Sequence, residues 1–290
     1  MRSAVDRDCR CPPQVFGCPV FVLIWAFAFI FAQPSRAAEL NPETVRAWDQ
    51  YVQWADARVK SQTSDPKVFL IQNTLPPDER AALQRQLAAG EIISRRMPDI
   101  TPPGIKFHVP SGEIHHWWGS VLIRNVTLGQ LIQFLQDYDH HGGKFSDVER
   151  SRLLSKDDNH YRIFMRLRRS KAFVTAYYNT EQECYYTFYD STKAFSRSVA
   201  TKIAELENPG TPSEHEKIPG NDRGFLWRLV SWWRFEQIGS DAVIELESAS
   251  LSRDIPAMIK FIPGISSYIR STPRETLESV LASIRQNFPR

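Results

Sequence analysis

Between residues 112 and 251 the chain passes through one strand-forming segment after another, and it then ends in a single long amphipathic helix. The strand segments fall at 114–123, 148–154, 161–168, 173–179, 183–189, 195–206, 226–238 and 243–251. Turn-tolerant residues separate them at Asp157-Asp158-Asn159, Asn179-Thr180 and Gly239-Ser240. Strands joined so briefly pair antiparallel, because a parallel return needs a crossover of a dozen or more residues. The closing helix has a clear start signal: Thr272 caps, Pro273 takes the first position and Glu275 completes a capping box. Its residues Leu277, Val280, Leu281, Ile284 and Phe288 share one stripe, which has to be buried against the sheet. One helix interrupts the strands early, starting at Thr127 with Gln130 and presenting Leu128, Leu131, Ile132, Leu135 and Tyr138 on one face. It ends at His140-His141-Gly142-Gly143.

The first 37 residues read as a secretory leader: Arg2, Arg7 and Arg10 precede an apolar run over 20–32, followed by Gln33, Pro34 and the small residues Ser35 and Ala37. Cleavage after Ala37 would send the protein to the periplasm or the exterior. A membrane span needs about 20 apolar residues, more than this run supplies, so retention as an anchor is the weaker reading. Residues 38–111 follow as a helical extension. Asn41 caps a helix with Pro42 at its first position and Val45, Trp48, Val52, Ala55 and Val59 at helical spacing. A short strand-like run at 68–71 comes next, then a second helix from Pro76-Pro77-Asp78-Glu79 to about Gly90, then a Pro-rich linker over 97–104. The extension is too short to bury a core alone.

Lys and Arg number 36 against 33 Asp and Glu, and the leader takes four of the former and two of the latter, leaving 32 against 31. So balanced a chain lacks the basic face that neutralises a row of phosphates, and nucleic acid is excluded as a partner. Cys9, Cys11 and Cys18 leave with the leader. Cys184 then has no intrachain partner, and its place in Glu183-Cys184-Tyr185-Tyr186 reads as a buried strand residue rather than a nucleophile.

One strand, one helix, a long antiparallel meander and a closing amphipathic helix resembles the START-like, or SRPBCC, helix-grip superfamily. The likeness covers roughly residues 112–288 and is strongest over 256–288, where a Pro-broken helical stretch leads into the last helix. It implies an α+β fold in which a curved antiparallel sheet wraps around the C-terminal helix, with residues 112–290 as the domain. It also implies a cavity for an apolar small molecule or lipid, with no cofactor. The superfamily has no residue signature, so the likeness gives architecture and ligand class without a catalytic residue.

The residues point to a cavity on their own account. Aromatics make up 12% of the chain, and alternation sends whole sets to one face: Tyr161, Ile163, Met165 and Leu167 in one strand, Trp227, Leu229, Trp233 and Phe235 in another. Such sets line either a packed core or a pocket. The expected pocket lining is Trp118, Leu122, Met165, Tyr177, Trp233, Leu246 and Tyr268. The loop 208–224, with three prolines, is expected at the cavity mouth.

Other constellations point less clearly to chemistry. His115 and His116 face opposite sides of a strand and do not share a metal. Asp137, Asp139, His140 and His141 lie together at a helix end, where the helix dipole alone favours histidine, and no second ligand pair accompanies them, so no metal site is assigned. Arg162, Arg166 and Arg168 alternate with Ile163, Met165 and Leu167, and Glu245 and Glu247 with Ile244 and Leu246, which reads as a solvated, cross-paired outer face. Three functions follow. The first is an exported protein that binds or transfers an apolar molecule. The second is an enzyme of the cyclase or dehydratase kind using the same cavity. The third is an envelope protein that only contacts a partner. Transient contact with a membrane surface stays open for the first.

Overall fold

The computed structural model describes residues 40–97, 100–101, 105–171, 174–218, 220–254 and 265–288. The leader lies outside them, as does 256–264 of the helical run expected over 256–269. The chain forms α1 (Pro42–Thr63), a 3-10 turn (Ile71–Thr74), α2 (Pro77–Ala88), β1 (Ile93–Arg96), β2 (Ile100–Thr101), β3 (Ile105–Lys106) and β4 (Gly112–Ile123). Then come α3 (Leu128–Gln136), β5 (Val148–Asp157), β6 (His160–Lys171), β7 (Val174–Phe188), β8 (Lys193–Glu207), β9 (His215–Glu216), β10 (Arg228–Ile238), β11 (Asp241–Arg253) and α4 (Ile265–Asn287). Eight strands form a curved antiparallel sheet in the order β1-β4-β11-β10-β8-β7-β6-β5, with β9 added to the end of β8. β2 and β3 pair separately.

Alternation sorts the sheet into two covered faces. The inner face carries α3 and α4: Val121 and Ile123 of β4, Phe235 of β10, and Ala242, Ile244 and Leu246 of β11 pack with Leu277, Leu281 and Ile284. Gly119 of β4 lies under this helix, and any side chain there would collide with Leu277 and Leu281. The missing Cβ is what lets α4 approach so closely. The outer face carries α1, whose Trp48, Tyr51, Ala55 and Val59 recur at helical spacing and meet Trp227, Val230, Trp232, Ala249 and Leu251. Each such large apolar side chain adds about 1.5–3 kcal/mol on full burial. Farther along the same face, Leu83 and Leu87 of α2 close over Trp118.

Several local expectations change. The segments expected over 173–179 and 183–189 are joined in one strand, β7, which runs from Val174 to Phe188 with no reversal at Asn179-Thr180. Thr180 is fully buried there, and β7 pairs with β6 and β8 on both sides of it, so the ladder outweighs local turn preference. The strand-like run 68–71 leads instead into the 3-10 turn, with Phe69 and Leu70 buried. The stretch read as a linker is preceded by a strand not foreseen, β1, on the edge of β4. Pro273 lies inside α4, which begins eight residues earlier, and it removes one backbone hydrogen bond without ending the helix.

The largest departure concerns charge. Glu245 and Glu247 do point to the outer face, but α1 and the 3-10 turn cover it, and both carboxylates are fully buried. Glu247 accepts from Arg234 at 3.1 Å, lies 2.8 Å from His116 Nε2 and also meets Arg58. Tyr51 Oη lies 2.6 Å from the other nitrogen of that ring. Burial works to raise the Glu247 carboxyl, but the hydrogen bond and charge of His116, with Arg234 and Arg58, hold it well below the usual range. Glu245 accepts the backbone N–H groups of Ile71 and Gln72 at 2.6 and 3.0 Å, which fastens the 3-10 turn. Burial pushes its carboxyl up to about 7, against the pull of Arg234 and those two amides. Arg166 is likewise buried and not solvated, since Glu214 grips it bidentately at 2.6 and 2.8 Å and Glu149 bonds it at 2.9 Å.

Candidate functional site: a cavity between sheet and closing helix

The inner face and α4 enclose a cavity of about 320 Å³. Its floor comes from β6, β7, β8, β10 and β11, its roof from Thr276, Val280 and Ser283 of α4, and one end from Leu135, Tyr138 and His141. Met165, Trp233 and Leu246 of the expected lining stand on its wall. Trp118, Leu122 and Tyr177 do not. Trp118 and Leu122 occupy even positions of β4 and point to the outer face, where they pack with Leu83 and Phe69. Tyr177 also faces outward, its ring under the guanidinium groups of Arg166 and Arg168, while Ala176 and Tyr178 take the inner face. Tyr268 falls in the first turns of α4, and its side chain lies outside the described residues. Trp227 joins the cluster under α1 and not the inner set of β10.

The register of four strands sets a polar row across the floor. Cys184 of β7 pairs with Ser198 of β8, Ser198 with Ser231 of β10, and Ser231 with Ser248 of β11. All four line the cavity. The Cys184 thiol donates to Ser198 Oγ at 3.2 Å, and Ser198 donates to Gln182 Oε1 at 3.0 Å. Burial pushes the thiol up, so it stays protonated and inert. Beyond Ser248 the next inward position of β11 is Ser250, paired with His115. On the other side of the row, toward α3, the floor turns apolar with Trp233, Phe235 and Leu246. At that end the hydroxyls of Tyr138 and Tyr186 lie 2.8 Å apart.

His141 packs among Phe134, Tyr138 and Phe145, and burial pushes it down to about 4 from an ordinary 6.5. It is neutral at pH 7, and its Nε2 has no hydrogen-bond partner. The unfolded chain therefore takes up a proton between pH 6.5 and 4 that the folded chain refuses, so this residue lowers stability as pH falls through that window. His141→Phe is expected to recover about 3 kcal/mol relative to the parent by pH 4, with little gain at pH 7. Urea unfolding at both pH values checks this, and an equal difference at the two would refute the buried neutral ring. His140, next to it, is exposed and bonded to Asp137 at 2.6 Å, so the two rings do not act together. Lys144, then His140, hold the Asp137 carboxyl down at about 2.

Two of the described lining residues are exposed, Ser146 and Arg168; the Arg168 guanidinium lies over Tyr177 on the outer face, so Ser146 marks the accessible side of the cavity. A polar seam joins the sheet edge to α4 there. Ser146 Oγ lies 2.6 Å from Ser279 Oγ, and Arg169 bonds Asp147 at 2.8 and 3.0 Å while reaching Glu275 at 3.5 Å. The 208–224 loop is not a loose flap. Glu205, buried at the end of β8, accepts from Lys217 and Arg223, and the cavity wall receives only Phe225 and Leu226, just past the loop.

A curved antiparallel sheet closed by a terminal helix, with a cavity between them, is a helix-grip architecture. Among solved structures the chain is similar to the STAR-related lipid transfer protein of Xanthomonas axonopodis, at 15% identity over 67% of this chain and 99% of that one, TM-score 0.41. It is similar also to the Zhui aromatase/cyclase from Streptomyces sp. R1128, at 10% identity over 60% and 93%, TM-score 0.39. A START superfamily protein from Mycobacterium smegmatis matches at 7% identity over 60% and 96%, TM-score 0.38. No family model and no curated protein matches the sequence. Likenesses this distant say nothing of ligand or chemistry, which rest on the geometry of this chain.

Proposed function

We propose that the protein binds a small, largely apolar molecule between its sheet and closing helix and carries it as an exported protein. The observation that supports this is the cavity itself: about 320 Å³ lined by Met165, Trp233, Phe235, Leu246 and Val280 lies within the size range of small-molecule sites. Burying the guest there supplies roughly 25 cal/mol for each square ångström of apolar surface removed from water. The guest enters by parting the polar seam at Ser146 and Arg169, whose contacts exchange readily with water, while the apolar packing of Leu277 and Leu281 over Gly119 holds the other side of α4.

An enzyme of the cyclase or dehydratase kind is the second reading, and one observation favours it: His141, a titratable group with a lowered pKa, stands on the cavity wall. A ring with so low a pKa is a weak base at neutral pH, so carriage is preferred.

The test is mass spectrometry of organic extracts from the full chain purified out of its native envelope, with N-terminal sequencing of the same material. A stoichiometric small molecule and a mature start at residue 38 are the expected results. A protein that yields nothing and binds no Nile red would refute carriage.

A further inference from the structure

We infer that the guest carries a carbonyl oxygen, gripped by the hydroxyls of Ser231 and Ser248 from adjacent strands of the floor. This deepens the proposed function and rests on the cavity taking a guest. The direction of the hydrogen bonds is the starting point. Trp233 Nε1 lies 3.2 Å from Ser231 Oγ, and an indole nitrogen only donates, so Ser231 accepts there and keeps its own proton to give. Ser248 and Ser250 line the same floor, and their hydroxyls have no partner among the described residues. Ser250 is 8% exposed, so its hydroxyl faces the cavity and not bulk water. Ser198, by contrast, spends its proton on Gln182. The unspent donors therefore sit side by side on β10 and β11.

Spacing then selects the acceptor. Ser231 and Ser248 are register partners, and opposed residues of antiparallel strands lie roughly 4.5–5.5 Å apart. Side chains leaving such a pair on the same face bring their hydroxyls over one spot of the floor, where two donors each reaching about 2.8 Å can close on a single atom with two lone pairs about 120° apart. A carbonyl oxygen has that form. An alkyl chain has nothing to offer these groups and leaves both donors unsatisfied, at a cost of about 1–3 kcal/mol each.

Charge and size narrow the class. The charged members of the described lining are Asp147 and Arg169 in the polar seam and Arg168, whose guanidinium lies over Tyr177 on the outer face; His141 is neutral and His115 is bonded to Ser252. Among the described residues no lysine or arginine faces the floor to offset a buried carboxylate, so the carbonyl belongs to an uncharged ketone, ester or amide. A cavity near the lower end of the usual 300–1,000 Å³ suits a fused-ring or similarly compact molecule rather than a two-chain lipid.

The test uses fluorene and 9-fluorenone, two flat ring systems of nearly equal shape that differ by one carbonyl. Equilibrium dialysis against the full chain and its Ser231→Ala/Ser248→Ala variant reads affinity, and infrared spectroscopy reads the carbonyl stretch of bound fluorenone. Fluorenone is expected to bind about tenfold tighter than fluorene, with a lowered stretch. In the variant that advantage and that lowering vanish, while fluorene binds at least as tightly as it does to the parent, being freed of the unsatisfied donors, and so serves as the check on folding. If both probes bind equally well to both proteins, the carbonyl inference is overturned and the cavity reading stands. If neither probe binds the parent protein, both fall together.

Discussion

Glu247→Ala is expected to lower stability by about 3–5 kcal/mol. For a chain of this size that is roughly 6–20 °C in melting temperature. The reason lies in what the substitution leaves behind. Arg234 is fully buried, with Gln62 Oε1 at 3.1 Å as its one other hydrogen-bond partner among the described residues, and its charge has no route to water. Arg58 is partly exposed and swings free, but His116 stays under Trp232 and Tyr51. Glu247→Gln keeps the shape and one acceptor and is expected to cost less. Arg162→Ala, which breaks an exposed pair with Glu181, is expected to stay within about 1 kcal/mol. Guanidinium unfolding of the four proteins checks the ranking. Equal losses for Glu247→Ala and Arg162→Ala would mean that the outer layer does not seal this face. The consequence reaches the cavity, because Trp232 and Arg234 alternate along β10 with Ser231 and Trp233 of the floor. Loosening one face of that strand loosens the other.

The same alternation explains what could be read beforehand. Met165 lies opposite Arg162, Arg166 and Arg168 along β6, and Trp233 and Leu246 lie opposite Arg234, Glu245 and Glu247, so charged residues at a period of two set the phase even though apolar residues share those outer faces. Strand β4 gives no such contrast: Ile114, Trp118 and Leu122 on one face compete with Trp117, Val121 and Ile123 on the other, because helices cover both. Residue size alone favours Trp118 and Leu122 as lining, and size does not tell a face. In β7 the run Ala176-Tyr177-Tyr178 lacks alternation, and placing a turn at Asn179-Thr180 removed the phase that continues through Gln182 and Cys184. The serine row was out of reach for a different reason. Ser198, Ser231 and Ser248 are unremarkable in their own strands, and only the register brings them together. His141 and the buried Glu245 and Glu247 look like surface residues until a covering helix is known, and what sends α1 across the outer face is tertiary packing. The helix-grip order itself was legible because it depends on the sequence of element types and on one apolar stripe at the C-terminus.

That stripe gives the second large effect. Gly119→Val is expected to push α4 off the sheet, lower stability by about 1–3 kcal/mol and abolish Nile red binding in the cavity. The new Cβ would overlap Leu277 Cδ2, come within 2.9 Å of Leu281 Cδ1 and stand 3.1 Å from the backbone oxygen of Ile93. The first two are ends of side chains, but both are fully buried or nearly so, and neither has space to turn into. The helix must therefore move as a body, and the roof residues Thr276 and Val280 move with it. Leu277→Ala alone is expected to cost about 2–5 kcal/mol by leaving a void. Combined with Gly119→Val it relieves the collision, so the double variant should be more stable than the sum of the two losses by about 0.5–3 kcal/mol and regain part of its Nile red binding. Thermal unfolding and dye titration of the three variants test this together. Strict additivity, with binding intact in Gly119→Val, would mean that α4 does not rest on Gly119 and that the cavity has some other roof.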